Sequence, residues 1–208
     1  MRVFVGPSHE YSISIMARPK SFDQQEVLGK ALNLFWEKGY NATSIQDLVD
    51  HLGINRASIY DTWGDKRGLY LETLKSYRKK SSNSFLDRLR SDLSSKEILK
   101  GFLNDVIHEA IEDAGNKGCF LSNSASELAN SDRTIFEIFS SNNENMEAVL
   151  SELVKDGQEA GEISRKHSPN AIARFILSNT MGIRIMAKGR KSEKALEEIV
   201  KVALSILD

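Results

Sequence analysis

The chain has 208 residues, with 28 Lys plus Arg against 29 Asp plus Glu, a formal charge of −1 and 40% hydrophobic residues. This length predicts one or two globular domains, and three prolines and 13 glycines exclude a collagen-like or low-complexity chain. No apolar run approaches the roughly 18 residues that span a membrane, so no membrane partner is expected. A single cysteine, Cys119, cannot form an internal disulfide, and a cytoplasmic location is the simpler expectation.

The distribution of charge says more than its sum. Residues 17–82 contain 11 Lys plus Arg and 8 Asp plus Glu, a net charge of +3, whereas residues 83–208 contain 16 and 20, a net charge of −4. The amino-terminal third is therefore the part that would meet a polyanion, although so modest an excess also fits a solvated surface.

The first fifteen residues carry no helical pattern. Their apolar stretch, residues 3–5, is too short for the hydrophobic region of a signal peptide. We expect residues 1–15 to be a disordered extension, with Met16 as an alternative start of translation.

Helical periodicity begins near Phe22. The three-and-four spacing of apolar residues predicts a first helix that Gly39 ends. Residues 43–46, Thr-Ser-Ile-Gln, have the form of a capping box and predict a second helix from about Ser44 to His51.

A third short helix follows closely, because Gly53 can end the second helix and Asn55 can cap the next. Two short helices joined by a glycine-containing turn are typical of a helix-turn-helix DNA reader. The exposed face of the third helix would offer an amide, a guanidinium, hydroxyls and a small side chain, which suit base edges in a major groove. These residues are Asn55, Arg56, Ala57, Ser58, Tyr60 and Asp61.

These residues resemble the amino-terminal domain of the TetR family of transcriptional regulators over about residues 23–75. The resemblance rests on Ala31–Phe35, Lys38–Tyr40, Thr43–Ile45, Leu52–Ile54, Ser58–Tyr60, Trp63 and Lys66–Leu69. Beyond them, Gly118–Leu121 with Asn123 and Glu127 recurs in one branch of the family. Trp63 departs from the usual Phe but keeps an aromatic anchor.

The resemblance implies an all-α fold with a three-helix DNA-binding domain at residues 16–65 and a larger helical domain at 66–208 that binds an effector and dimerises. It implies that Thr43, Tyr60 and Lys66 contact phosphates, and that residues 55–58 approach base edges. Independently of the family, helix amino termini attract anions. Thr43, Ser44 and Lys66 lie at two such ends, which favours phosphate contacts there.

Two basic residues precede the first helix. Arg18 and Lys20 lie on a segment that would enter a minor groove or follow a phosphate strand, and a disordered basic start explains them equally well.

Specific binding to a palindromic duplex needs a second half-site at a fixed separation, and hence a homodimer. Ser168-Pro169 predicts the start of a helix that continues to about Ala187, and a last helix follows Gly189. In the family the last two helices form the interface; the alternative is that they close the core of their own domain. The expected interface residues are Ser178, Gly182, Leu196, Ile199, Val200, Ala203 and Leu207.

Further helices are predicted at about 65–90, 95–114, 119–129 and 132–158. Apolar residues near polar ones in this region are candidates for an effector cavity, and packing in the core is the competing explanation for each. The candidates are Phe102, Val106, His108, Cys119, Phe120, Asn123, Glu127, Phe139, Phe175 and Asn179.

Cys119 supports an alternative mode of regulation. A helix amino terminus lowers the pKa of a thiol, and the resulting hypothesis is a repressor that senses electrophiles or oxidants through Cys119. A small buried hydrophobe is the competing explanation.

Catalytic motifs are missing from the sequence: there is no Gly-rich phosphate loop, nucleophile elbow or zinc-protease motif. Asp105, His108 and Glu112 share a spacing that metal ligands use, but an exposed charged face explains them better. We therefore expect neither an enzyme nor a cofactor or metal. The sequence predicts a sequence-specific DNA-binding transcriptional regulator, a repressor released from its operator by a small-molecule effector.

Overall fold

The computed structural model describes residues 22–112, 117–189 and 192–208. Within these ranges the chain is helical and has no strand, which confirms the predicted all-α class. The helices are α1 Gln24–Lys38, α2 Ile45–Leu52, α3 Arg56–Trp63, α4 Lys66–Leu89, α5 Ser95–Glu112, α6 Phe120–Leu128, α7 Arg133–Glu159, α8 Pro169–Lys188 and α9 Glu193–Leu204, followed by a 3-10 turn Ser205–Leu207. The predicted extension at residues 1–15, and Arg18 and Lys20, lie outside the described residues.

Capping residues set the helix boundaries close to the predicted ones. Asn55 caps α3 by accepting a hydrogen bond from the Ser58 amide, at 2.8 Å. Ser168 caps α8 in the same way, and Pro169 occupies the first helical position, where a missing N–H costs nothing. Gly53 ends α2 at φ 69°, a left-handed conformation that glycine adopts without strain.

The capping box of α2 is displaced by one residue from the predicted Thr43–Gln46 pair. The cap is Ser44, whose hydroxyl accepts from the Asp47 amide at 3.0 Å, while the Asp47 carboxylate accepts from the Ser44 amide at 2.7 Å. Hydrogen bonds from Lys38 and Ser44 hold the pKa of Asp47 well below its usual range. Thr43 is excluded from this role because its side chain turns inward to α1.

Two hydrophobic clusters organise the packing. The first cluster joins α1, α2, α3, the first half of α4, α6 and the start of α7 around Phe35, Leu48, Ile59 and Tyr70. The second cluster joins the end of α4 with α5, α7, α8 and α9. The first cluster extends past residue 65 into α6. The predicted boundary between two domains at residues 65 and 66 therefore stays a prediction.

None of the described helices combines the length and the hydropathy that crossing a lipid bilayer requires.

Candidate nucleic-acid interface

Helices α2 and α3 form the predicted helix-turn-helix. They are joined by the three residues 53–55, and α3 packs on α2 and α4 through Ile59, which is fully buried. The opposite side of α3 faces outward with Arg56, Ala57 and Asp61 exposed and Tyr60 39% exposed. The third helix therefore offers a continuous polar face of the kind that enters a major groove.

Two of the predicted reading residues lie at the amino terminus of α3. The Asn55 side-chain oxygen Oδ1 accepts from the Ser58 backbone amide, so the side-chain NH₂ group of Asn55 remains as the donor available to a base or phosphate. Arg56 follows at the first helical position and forms no ion pair with any described residue. An unpaired guanidinium beside a helix amino terminus is suited to phosphate or guanine recognition.

Thr43 does not face the expected DNA side. It is 1% exposed, and its hydroxyl donates to the Gly39 carbonyl at 2.6 Å. The predicted side-chain phosphate contact of Thr43 is therefore wrong, because this hydroxyl closes the end of α1. The neighbouring Ser44 is exposed, although its side chain is engaged with Asp47.

Lys66 also points into the protein. Its ammonium donates to the carbonyls of Tyr40 at 2.9 Å and Thr43 at 2.8 Å, and lies 4.1 Å from the centre of the Tyr40 ring. Burial lowers the pKa of Lys66 below its ordinary value. The geometry corrects the expected role: the Lys66 side chain braces the loop between α1 and α2 instead of extending to a phosphate.

Glu127 braces the same loop from the other side. Its carboxylate accepts from the amides of Tyr40 at 3.0 Å and Asn41 at 2.7 Å. Both carboxylate oxygens of Glu127 are thus engaged by the loop between α1 and α2, and its contact with an effector stays a prediction. More than 80 residues separate these partners in the chain, so no local spacing signals the contact.

Two further contacts, which the sequence did not reveal, join α1 and α4 to the region of α6 and α7. The Trp36 indole donates to the Gly118 carbonyl at 3.0 Å, directly before α6. Arg67, at the start of α4, makes a bidentate pair with Asp132, the cap of α7, at 2.6 and 2.9 Å. The DNA-binding unit, which comprises α1 to α3 with the start of α4, is thus tied to the region of α6 and α7 at several points.

A cavity of about 90 Å³ lies where the two hydrophobic clusters meet. Four of the predicted effector residues line it: Phe102, Val106, Cys119 and Phe139. These residues come from α5, the start of α6 and α7, and only folding brings them together.

The other predicted effector residues do not line this cavity, and their contact with an effector stays a prediction. His108 is exposed and pairs with Glu112 at 3.1 Å, while Phe120 is buried in the first cluster. Asn123 bonds to the Lys117 carbonyl and to the Lys188 ammonium. On α8, Phe175 is 39% exposed, and Asn179 bonds to its carbonyl.

Cys119 is half-buried at the cap position of α6. The Tyr77 hydroxyl donates to its sulfur at 3.6 Å, and burial raises the pKa of Tyr77 far above its usual value. The sulfur therefore sits on the cavity wall with a neutral hydroxyl donor beside it.

The apolar stripe of α9 faces its own subunit. Four predicted interface residues are 1–3% exposed within the second cluster, so they are unavailable to a partner and their assignment is wrong: Leu196, Val200, Ala203 and Leu207. Ile199 is half-buried against the same cluster. Of the predicted residues on α8, Ser178 and Gly182 are exposed.

Another apolar surface remains exposed on these two helices. Phe175, Ile185 and Met186 on α8 are 39%, 57% and 39% exposed, and Val202 on α9 is 70% exposed. With Ser178 and Gly182 they define the outer α8–α9 face, and a Cβ on Gly182 would meet no atom within 4 Å.

The possible metal-ligand spacing has another explanation. Asp105 forms a bidentate pair with Arg88 at 2.6 and 2.7 Å. Over the described ranges, no group of three His, Cys, Asp or Glu side chains is placed to hold a metal ion.

Family models match both parts of the chain. The model for bacterial regulatory proteins of the tetR family matches residues 27–73, and a model for the tetracyclin repressor-like C-terminal domain matches residues 96–203. The chain belongs to the TetR family. It is a DNA-binding transcriptional regulator of that family.

Two curated relatives are similar in sequence to this TetR-family chain over nearly its whole length. The HTH-type transcriptional regulator YezE of Bacillus subtilis strain 168 is 32% identical, covering 93% of this chain and 100% of its own. The HTH-type transcriptional repressor ComR of Escherichia coli K12 is 27% identical, covering 91% and 90%.

A solved TetR-family structure shares the fold. It is a cysteine mutant of the regulator CifR complexed with 26 bp double-stranded operator DNA, with a TM-score of 0.82 and 23% identity over 92% of this chain and 100% of that one. At this identity the similarity establishes the common fold.

Proposed function

We propose that this TetR-family protein is a repressor that binds a palindromic operator as a homodimer and is released when a small molecule occupies the cavity. The observation that carries this proposal is the position of the cavity between the cluster that supports α3 and the cluster that supports α8 and α9. A ligand that prefers a conformation with differently spaced recognition helices must weaken operator binding through thermodynamic linkage.

The proposed operator contact uses the exposed side of α3. Asn55 to Ser58 approach base edges and Tyr60 contacts phosphate, while Asp61 lies at the edge of this surface. The exposure of Arg56 and Tyr60 supports this assignment. We propose no catalytic activity, and we assign the chain to the family branch that carries the Gly118–Leu121 segment.

Binding to DNA is tested by selecting duplexes from a random pool with the purified protein, and by footprinting the DNA that flanks its own gene. We expect a palindrome with half-sites about one helical turn apart, and an affinity that falls steeply with salt. Recovery of only non-palindromic duplexes, or binding that is indifferent to sequence, would contradict the proposal.

A thiol-sensing repressor is the second candidate, favoured by the position of Cys119. The sulfur is on the cavity wall, and the next helix carries Glu127, which holds the α1–α2 loop. An adduct at the sulfur would therefore displace the start of the helix that supports the DNA-binding unit. The test is treatment of the protein–operator complex with N-ethylmaleimide: release must disappear in Cys119→Ser, and identical release from both proteins would refute this role.

A further inference from the structure

Arg184 of α8 brings a cation to the wall of the cavity. Its side chain is 23% exposed, and its Nη2 donates to Glu109 at 2.8 Å. No second acceptor for this guanidinium occurs among the described residues. Because a guanidinium presents a planar fork of N–H groups, a single hydrogen bond leaves most of its donors unused.

The two acidic residues that line the cavity differ in how firmly their carboxylates are paired. Asp105 is held in a bidentate pair by Arg88. Glu109 forms one hydrogen bond to Arg184 and is 53% exposed, so it can turn to solvent at small cost. Arg184 is therefore the charged group of the cavity wall with donors to spare.

The remainder of the lining is mostly apolar. Phe102, Val106, Phe139 and Met146 are among the apolar lining residues, and the side-chain amides of Asn142 and Asn143 make no hydrogen bond to another described side chain or backbone group. An apolar cavity with a few orienting polar groups is the usual form of a small-molecule site.

Arg184 also lines a larger outer groove between α1, α4 and α5, together with Tyr77 and Glu109. A ligand held by this guanidinium would place its polar end toward the groove and its apolar body in the cavity. The polar end then keeps part of its contact with water, which lowers the cost of binding a charge.

We propose that the site takes a small monocarboxylate whose apolar body fills the cavity and whose carboxylate displaces Glu109 from Arg184. This assignment rests on the proposed effector function and specifies its chemistry. A carboxylate matches the guanidinium fork with two parallel hydrogen bonds, whereas the matching amide offers one acceptor oxygen and the protonated amidine offers no acceptor. The cavity volume of about 90 Å³ restricts the buried part of the ligand to a few heavy atoms.

The test compares isosteric ligands on the full-length protein. Benzoate and butyrate are titrated against benzamide, butyramide and benzamidine by calorimetry, up to about 10 mM because fragments of this size bind weakly. We expect the carboxylates to bind at least about tenfold more tightly than the amides, since hydrogen bonds to charged groups are the stronger ones. Equal affinity of acid and amide, or no binding of either acid, would overturn the assignment.

Two substitutions on α8 separate this role from general electrostatics. Arg184→Met should remove the preference for carboxylates. Arg174→Met is the matched control, because Arg174 forms an equivalent pair with Glu147 at 2.8 Å outside the cavity; it should leave the preference intact. Loss of the preference in both variants, or in neither, would contradict a specific role for Arg184.

Glu109→Gln is a second test that leaves Arg184 in place, and it decides the question if the Arg184 variant fails to fold. Removing the competing carboxylate should strengthen benzoate binding several-fold, and a purely structural ion pair would give unchanged or weaker binding.

Operator release then distinguishes the two proposals. Carboxylate binding that depends on Arg184 without release from DNA would retain the site and refute the effector function. Release by the amides and not by the acids would retain the effector function and refute the carboxylate assignment.

Discussion

Single residues of the helix-turn-helix divide into those that face DNA and those that hold the reader in place. Arg56 and Tyr60 belong to the first group because they are exposed on α3. Thr43 and Lys66 belong to the second because their polar atoms are hydrogen bonded to the α1–α2 region. Substitutions in the two groups should therefore have different signatures.

Replacing Arg56 by Ala should weaken operator binding by about 1–3 kcal/mol and relax selectivity at the contacted base pair. The free energy of unfolding should change by less than about 0.5 kcal/mol, because Arg56 is exposed and forms no ion pair with a described residue. Fluorescence anisotropy with the selected operator and with single-base variants measures the change in operator binding, and chemical denaturation measures the free energy of unfolding. Arg90→Ala, an exposed arginine at the end of α4, is the control and should bind normally; equal losses in both variants would rule out specific readout.

Replacing Lys66 by Met should lower the free energy of unfolding by about 1–3 kcal/mol, because two backbone carbonyls lose a charged donor. The salt dependence of operator binding should keep its slope, whereas loss of a phosphate contact would reduce that slope by about one. Chemical denaturation and salt titration decide between these outcomes. Lys75→Met is the matched control on α4, since Lys75 is exposed and Glu72 is its sole ion-pair partner among the described residues.

Residue types around the turn were predictable, but the direction of their side chains was not. Asn55 is a cap in sequence and in structure, because capping depends on residues three positions away. Thr43 and Ser44 are both good caps, and the choice between them depends on Gly39, to which the Thr43 hydroxyl bonds. Lys66 is directed inward by carbonyls more than 20 residues earlier in the chain.

At the scale of elements, α6 links the cavity to the DNA-binding unit. Its amino-terminal end carries Cys119 and Leu121 on the cavity wall, and its last turn carries Glu127 against the α1–α2 loop. A helix of nine residues behaves as a rigid lever over this distance, so a displacement at one end reaches the other.

Glu127→Ala should loosen the α1–α2 loop without unfolding the protein. The amides of Tyr40 and Asn41 lose charged acceptors, each worth about 1–3 kcal/mol, and should exchange with solvent roughly ten- to a hundredfold faster. Hydrogen exchange resolved by NMR measures the rates of these two backbone amides. Glu137→Ala, which removes a surface pair with Arg133 on α7, should leave these amides unchanged; protection that survives in Glu127→Ala would argue against the lever.

Helices were predicted within a few residues because caps and glycines are local signals, as at Ser168 and Gly53. The cavity was predicted only in part. Its lining depends on which faces of α4, α5, α7 and α8 meet, and apolar spacing within one helix does not contain that information. Phe102 and Phe175 look alike in sequence, yet the first lines the cavity and the second is on the outer surface.

At the scale of the whole molecule, the same ambiguity affects the dimer. The stripe from Leu196 to Leu207 has the period of a buried face, and the second cluster of the subunit itself buries it. We propose that the outer α8–α9 face is the interface instead. Its exposed apolar side chains, Phe175, Ile185, Met186 and Val202, form the kind of patch that marks association surfaces, and Ser178 and Gly182 allow close approach of a partner helix.

Gly182→Arg tests this interface with little risk to the subunit. A Cβ added at Gly182 meets no atom outside its own stretch of helix within 4 Å, and replacing a helical glycine removes an unfavourable propensity, so the fold should persist. A bulky charge in a close helix contact should convert the dimer to a monomer and weaken operator binding by at least about a hundredfold, because one half-site is lost. Light scattering after gel filtration gives the mass. Gly29→Arg, at another open glycine on α1, should remain dimeric, and a dimeric Gly182→Arg protein with normal operator affinity would place the interface elsewhere.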